Sequence, residues 1–133
     1  MRKFFFSLFL WLDPEDDAAY ANWGSEWRMP THAQLEELLN SSYTTTTWTT
    51  LKGVYGRKIS KKSDSSVYIF LPAAGFRYVS SLYNAGSYGS FWSRSLGTSY
   101  SSDAYCLLFS SGGIDWGSNY RFFGLSVRPV CAK

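Results

Sequence analysis

The chain has 133 residues, enough for one domain, of which 45% are hydrophobic, 20% aromatic and only 17% charged. This composition excludes a disordered chain, because so much apolar and aromatic surface requires burial. The net charge of +3, with no basic cluster longer than Lys61-Lys62, argues against nucleic acid as the main partner, and no apolar run reaches the roughly 18 residues of a membrane-spanning helix.

The N-terminal residues 1–11 are mostly apolar after Arg2-Lys3, and they fit either a buried strand or a signal-like segment. The acidic residues that follow favour the strand, and they predict a helix that starts at Pro14 with Asp13 as its N-cap. We therefore divide the chain into this apolar segment and one domain over residues 12–133.

A second helix is predicted after Thr31, because Thr31 and Gln34 form a capping-box pair ahead of a leucine stripe. Beyond it, β-branched and alternating residues predict a series of strands, the third of which is expected to be buried and to end at Pro72. These strands cover residues 44–50, 54–59, 67–71, 90–95, 104–110, 114–116 and 125–130. Two early helices followed by many strands indicate an α+β fold with a largely antiparallel sheet.

Residues 78–126 contain 13 serines, seven glycines and six tyrosines, a composition typical of binding loops and also of an ordinary polar sheet. Alternation in the two strands that follow residue 103 separates an inward set from an outward set. The inward set is Tyr105, Leu107, Phe109, Ile114 and Trp116. The outward set is Cys106, Leu108, Ser110, Gly113, Asp115 and Gly117. An outward face that includes Cys and Leu indicates either a ligand-facing surface or a second packed layer.

Several motifs, taken in order, are similar to those of a known family. They lie at residues 12–19 (LDPEDDAA), 22–24 (NWG), 27–31 (WRMPT), 70–75 (FLPAAG), 92–93 (WS), 124 (G) and 126–130 (SVRPV). With them the chain resembles the Fibrobacter succinogenes major paralogous domain family, which is similar to C-type lectin-like domains. Members of that family include variable proteins of diversity-generating retroelements. In these systems a reverse transcriptase copies a template and mutates its adenines, so asparagine codons near the C-terminal end change into codons for many residue types.

The resemblance implies a C-type lectin-like α+β fold with two helices near the N-terminus, a mostly antiparallel twisted sheet and long irregular loops. It also implies a variable region at about residues 87–130, whose diversified positions contact the ligand. These positions are Ser90, Gly97, Ser99, Tyr100, Ser101, Ser102, Asp103, Cys106, Leu108, Gly113, Asp115, Gly117, Ser118, Asn119, Tyr120, Phe122 and Phe123. Residues 1–11 depart from the family, whose members usually have further fold upstream of the LDPE motif.

Signals for catalysis or metal binding are weak. The single histidine, His32, is expected to be an exposed residue in the first turn of a helix, and a Ser-His-Asp triad would have to use it. Asp103 and Asp115 supply too few oxygen ligands for a calcium site, and Cys106 and Cys131 are not expected to pair. We therefore expect neither an enzyme nor a metal or other cofactor.

The residues instead predict a binding domain in which a packed framework supports exchangeable surface positions. The expected framework is Trp23, Trp27, Trp92, Trp116, Phe70, Leu107, Phe109 and Val127. The arginines expected to tie loops together, unless they are simply solvated, are Arg28, Arg94, Arg121 and Arg128. The expected ligand anchors are Tyr100, Tyr120, Phe122 and Phe123, since aromatic residues dominate binding hot spots.

Two other functions fit the same composition. The first is a fixed-specificity surface module, such as a carbohydrate-binding or adhesin domain, and the second is a purely structural domain of a cell-surface or virion assembly. The expected partner is a protein or glycan, for example on a host-cell surface. The expected location is the cell surface, the secreted fraction or a phage virion.

Overall fold

The structure, a computed structural model, describes residues 12–97 and 99–131. Its fold belongs to the α+β class, because it has two short helices near the N-terminus and strands whose ladders are all antiparallel. The predicted N-terminal strand or signal-like segment at residues 1–11 lies outside the described residues. No helix in the described part of the chain is long and apolar enough to cross a membrane.

The N-terminal acidic motif forms two short helical elements instead of one helix. A 3₁₀ turn covers Pro14–Asp16, and helix α1 covers Ala18–Trp23. The prediction that Asp13 caps a helix is wrong, since its side chain makes no capping hydrogen bond. Asp17 is the N-cap, because its buried carboxylate accepts hydrogen bonds from the amides of Ala19 and Tyr20.

Strand β1 covers Trp27–Arg28 and leads into helix α2, which covers His32–Leu38. The predicted capping box is confirmed: the Thr31 hydroxyl accepts a hydrogen bond from the Gln34 amide, and the Gln34 side chain accepts one from the Thr31 amide. Leu35 on this helix is buried and faces the sheets.

Strands β2 (Thr44–Leu51), β3 (Val54–Lys61) and β4 (Asp64–Pro72) form one antiparallel sheet. Lys52 and Gly53 make the predicted turn between the first two, and both have positive φ angles, as a two-residue hairpin turn requires. The prediction of a buried third strand is wrong, because β4 lies at the edge of its sheet and only Leu71 within it is buried.

A small hairpin of β5 (Phe76–Tyr78) and β6 (Ser81–Tyr83) precedes the second large sheet, which contains β7 (Tyr88–Leu96), β8 (Asp103–Ser110) and β9 (Gly113–Tyr120). The predicted strand over residues 125–130 is wrong. Its first part makes only an isolated bridge, through Ser126, and β10 (Val130–Cys131) pairs with β1.

The core lies where α2 and the two three-stranded sheets meet. Its buried hydrophobic residues are Leu35, Ile59, Leu71, Ala73, Phe91, Leu107 and Phe109. Two predicted framework residues, Leu107 and Phe109, are therefore confirmed as core, while Trp92, Phe70 and Val127 are only partly buried. The prediction is wrong for Trp23, Trp27 and Trp116, which are exposed because they lie on short elements or at a sheet edge.

Two of the predicted loop-tying arginines do bind backbone carbonyls. Arg28 donates to Ser25 and Trp27, and Arg94 donates to Leu12. Arg121 and Arg128 make no side-chain hydrogen bond or ion pair with any residue that the structure describes. The arginine that joins the two large sheets is Arg57, which the sequence did not single out and which donates to the carbonyls of Ser110 and Ser111.

Candidate functional site

The register of the second large sheet gathers many of the predicted ligand positions on one face. Ser90 on β7 is paired with Leu108 on β8, and Leu108 is paired in turn with Asp115 on β9. Cys106 is paired with Gly117 in the same way. Directly paired residues project to the same side of a sheet, so alternation correctly groups these positions together.

The face is nevertheless not open at its centre. Ser90 and Cys106 are both fully buried, so the expectation that they face outward toward a ligand is wrong. The physical reason is that each small side chain has a larger one as its direct cross-strand partner, Leu108 beside Ser90 and Trp92 beside Cys106. In addition, β7 is bonded on its other edge to Ser126, which leaves no open flank there.

The remaining predicted positions divide into an exposed group and a partly buried group. The exposed positions are Ser99, Tyr100, Ser101, Ser102, Asp115, Ser118, Tyr120 and Phe122. The partly buried positions are Gly97, Asp103, Leu108, Gly113, Gly117, Asn119 and Phe123. The exposed group lies mainly in the turn before β8, along β9 and in the turn after it, where a side chain can change without disturbing the core.

Three glycines among the predicted positions differ in the space around them. A Cβ atom added at Gly113 would meet no atom within 4 Å, whereas one at Gly117 would lie 2.9 Å from the Leu108 side chain. One at Gly97 would lie 3.0 Å from two backbone carbonyl oxygens. A side chain is therefore tolerated at Gly113, requires a shift of Leu108 at Gly117, and is restricted by the backbone at Gly97.

Burial also determines the chemistry of Cys106. Removal from water raises the pKa of its thiol from 9.0 to about 11, an effect that the nearby Ser90 hydroxyl opposes only in part. At neutral pH the group is a protonated, inaccessible thiol, and this is not the state of a nucleophilic cysteine.

We expect the free energy of unfolding to fall more steeply between pH 9 and 11 in the wild-type protein than in Cys106→Ala. In that range the unfolded thiol ionises while the folded thiol stays protonated, so rising pH favours the unfolded chain. The difference in slope is up to about 1.4 kcal/mol per pH unit. Urea unfolding at several pH values measures it, and equal slopes in the two proteins would show that Cys106 is accessible in the folded state.

Six aromatic rings, with the half-buried Tyr88 against one of them, Phe76, form a continuous cluster, and these six are here called the aromatic patch. They are Phe76, Tyr78, Tyr83, Tyr120, Phe122 and Phe123. The rings of Tyr120 and Phe122 are nearly parallel, with centroids 5.1 Å apart. The centroid of the Phe123 ring lies 5.1 Å from that of Phe122 and 5.2 Å from that of Tyr78. Three of the four predicted anchors therefore meet in one place.

The patch is exposed although it is strongly apolar. Phe122 is 66% exposed and Tyr120 is 51% exposed, and Tyr78 and Tyr83 are each 44% exposed. Apolar clusters of this kind on a protein surface are commonly binding sites. Tyr100, the fourth predicted anchor, is also exposed but does not belong to the patch.

Backbone pairing explains why these rings meet. The amide of Arg77 donates to the carbonyl of Gly124, and the amide of Gly124 donates to the carbonyl of Arg77, so the β5–β6 hairpin is joined to the turn after β9. The amide of Phe123 donates to the carbonyl of Tyr120 and closes that turn. Sequence reasoning missed the three rings of the hairpin, because they are more than 35 residues away from the turn and no local pattern connects them.

His32 does not have the exposed position that was expected. Its ring stacks on Tyr105 with a centroid distance of 4.4 Å and meets the edge of Trp116 at 5.4 Å. The reason is that α2 packs its first turn against the second large sheet, where the His32 amide donates to the Ser95 hydroxyl. These ring contacts account for the position of the side chain.

Across residues 12–97 and 99–131, no group of three or more His, Cys, Asp and Glu side chains is placed to hold a metal ion. The site is an apolar surface, and the exposed Arg121 lies between Tyr120 and Phe122 in the chain. Fold and site together describe an α+β domain of mostly antiparallel sheets that exposes an aromatic patch. Comparison with protein-family models, curated proteins and solved structures finds no match to this chain.

Proposed function

We propose that this chain is a non-enzymatic binding domain and that its aromatic patch is the main contact with a protein or glycan ligand. The observation that carries the proposal is the exposure of Phe122 and Tyr120, which stack on each other at 5.1 Å instead of entering the core. Burying exposed rings on a partner would gain free energy that the isolated domain forgoes.

The surroundings of the patch support a role in recognition. Arg121 lies between Tyr120 and Phe122 in the chain and is exposed. Arg77 pairs with Leu82, so its side chain projects to the other face of the hairpin from Phe76 and Tyr83. Aromatic residues and arginine are the types most enriched at interface hot spots, with a polar rim around an apolar centre. A partner with acidic or hydrogen-bond-accepting groups around an apolar contact would complement this surface.

We further propose that the domain has the C-type lectin-like fold and that its C-terminal surface is diversified by a retroelement. Support comes from the motifs at residues 12–31, 70–75 and 124–130 and from the exposure of eight of the proposed variable positions. In this proposal Ser90 and Cys106 are buried positions that tolerate small side chains only. Sequencing of the flanking DNA tests it: a near-copy that differs at adenines, next to a reverse-transcriptase gene, is expected.

Replacing either Tyr120 or Phe122 by alanine is expected to leave the melting temperature within about 2 °C of wild type, because exposed side chains contribute little to folding.

A library randomised at Tyr100, Asp115, Ser118, Tyr120 and Phe122 should accordingly contain mostly folded members and yield binders when displayed and selected on a purified protein such as lysozyme. Protease resistance of the displayed library measures the folded fraction.

The matched control is Phe109→Ala, whose buried ring should cost about 3–5 kcal/mol. If Tyr120→Ala or Phe122→Ala costs as much as this control, the rings belong to the framework and the binding proposal fails. If the randomised library is largely unfolded, the surface does not tolerate exchange, and the diversification proposal fails even where binding survives.

A fixed-specificity carbohydrate-binding or adhesin module is the second candidate function. The observation in its favour is that three rings of the patch, Phe76, Tyr78 and Tyr83, lie outside the proposed variable region at residues 87–130. A glycan array probed with the wild-type protein and with Tyr120→Ala distinguishes the fixed-specificity module from the diversified binding domain. One glycan class bound equally by sister copies with different residues at the variable positions favours the fixed module.

A further inference from the structure

A second site lies away from the aromatic patch. A cavity of about 260 Å³ opens between helix α2, strands β4, β7 and β8, and the segment that leads into β10. Its inner wall consists of the core side chains Leu35, Leu71, Phe91 and Leu107, each at most 5% exposed. Buried Pro30, half-buried apolar residues and two exposed polar residues complete the wall, so the cavity reaches from the surface into the centre of the domain.

The volume of this cavity is large for a closely packed interior, in which few voids exceed the size of a water molecule. An engineered apolar cavity of roughly 150 Å³ stays dry and binds benzene. On the same scale, the present cavity has room for about ten non-hydrogen atoms of an apolar ligand.

Two polar side chains line the cavity, and each can donate hydrogen bonds to a ligand. Of the described residues that line it, only Gln34 and Arg128 are polar, and both are exposed, which places them at the mouth. The Gln34 side-chain oxygen already accepts the Thr31 amide at 2.8 Å, so its NH₂ group is what remains to bind a ligand. The Arg128 guanidinium has no hydrogen bond or ion pair within the described part of the chain.

A mouth with a free guanidinium and an amide NH₂ complements a carboxylate, whose two oxygens match the planar fork of arginine. We propose that this cavity binds a monocarboxylate whose apolar body lies against Phe91 and Leu107 while the carboxylate stays on Arg128. The site shares no residue with the aromatic patch, so the inference does not depend on the proposed function.

Calorimetric titration of the full chain with octanoate and with octan-1-ol tests the proposal. Octanoate matches the cavity in size and carries a negatively charged carboxylate. Octan-1-ol has the same number of carbon atoms but ends in a neutral hydroxyl group. We expect saturable binding of octanoate and a loss of roughly tenfold or more in Arg128→Ala, the effect of losing a charge-assisted hydrogen bond. The affinity for octan-1-ol should be the same in both proteins.

Two further variants locate the site. Arg121→Ala removes an exposed arginine that does not line the cavity, and its octanoate affinity should equal that of wild type. Leu38→Trp fills the cavity from its half-buried edge and should abolish binding of both probes. If Leu38→Trp does not fold, Arg128→Ala, a surface change, still decides the question.

Two results would overturn the proposal. One is the absence of saturable octanoate binding to the wild-type chain. The other is an Arg128→Ala protein that binds octanoate as tightly as wild type, because the carboxylate would then not be recognised at this mouth.

Discussion

Asp17→Ala should destabilise the domain by about 3–5 kcal/mol, the usual cost of leaving a buried charge and buried donors without their partner. The Asp17 carboxylate is fully buried and accepts hydrogen bonds from the amides of Ala19, Tyr20 and Met29. It also lies 3.7 Å from Nε of Arg94 on β7. A single side chain thus joins helix α1, the residue after β1 and the second large sheet.

Urea unfolding followed by tryptophan fluorescence measures the loss, because the midpoint shifts while the slope stays constant in a two-state transition. Asp13→Ala is the matched control: its side chain caps nothing, and the change should cost less than about 0.5 kcal/mol. Asp17→Asn keeps a hydrogen-bond acceptor without the charge, and its free energy of unfolding should lie between those of Asp13→Ala and Asp17→Ala. Equal stabilities of Asp13→Ala and Asp17→Ala would contradict the assignment of Asp17 as the organising cap.

The second large effect is expected at Gly89, where alanine should cost about 1–3 kcal/mol by overpacking the core. Gly89 is the direct cross-strand partner of Phe109, and a Cβ atom added there would overlap the Phe109 ring. The ring is itself buried among core residues, so it cannot move aside without disturbing Phe91. The measurement is again the free energy of unfolding.

Phe109→Leu tests this cause directly, because a smaller side chain makes room for the new methyl group. The double variant Gly89→Ala/Phe109→Leu should be more stable than the sum of the single effects by about 0.5–3 kcal/mol. Gly113→Ala is the control glycine, since no atom lies within 4 Å of its added Cβ, and it should be close to neutral. Purely additive effects would mean that contact with the ring is not what limits position 89.

Asp17 and Gly89 belong to the buried framework of the domain, whereas the proposed function depends on side chains at its surface. Gly89, Cys106, Leu108 and Asp115 all lie in the second large sheet, yet burial differs sharply among them. A surface that exchanges side chains freely must therefore avoid the centre of β7 and β8. We expect natural or engineered variation to concentrate in β9 and in the turns on either side of β8 and β9.

Local patterns predicted much of the chain. The capping box at Thr31 and Gln34, the turn at Lys52 and Gly53, and most strand positions depend on contacts between residues a few positions apart, and such contacts are visible in sequence. Alternation also grouped Leu108 with Asp115, because the period of a strand is two whatever surrounds it.

Burial was harder to predict, because it depends on what covers a face. The same alternation placed Cys106 outward, but the side chain is fully buried in the folded domain, where it lies beside Trp92 on the neighbouring strand. Trp116 was expected in the core, but it lies on an edge strand and remains partly exposed. The sequence predicted Asp13 as the cap, whereas Asp17 caps α1 and also accepts the distant Met29 amide and lies beside Arg94.

The sequence by itself determined the α+β class, the order of helix α2 and the six longer strands, and the aromatic character of the C-terminal turn, because these follow from local propensity and periodicity. Only the tertiary structure brought the hairpin rings of Tyr78 and Tyr83 beside that turn and opened a cavity next to Arg128. Both features arise where segments far apart in the chain pack together, and the free energy of such packing depends on three-dimensional shape, which no local pattern encodes.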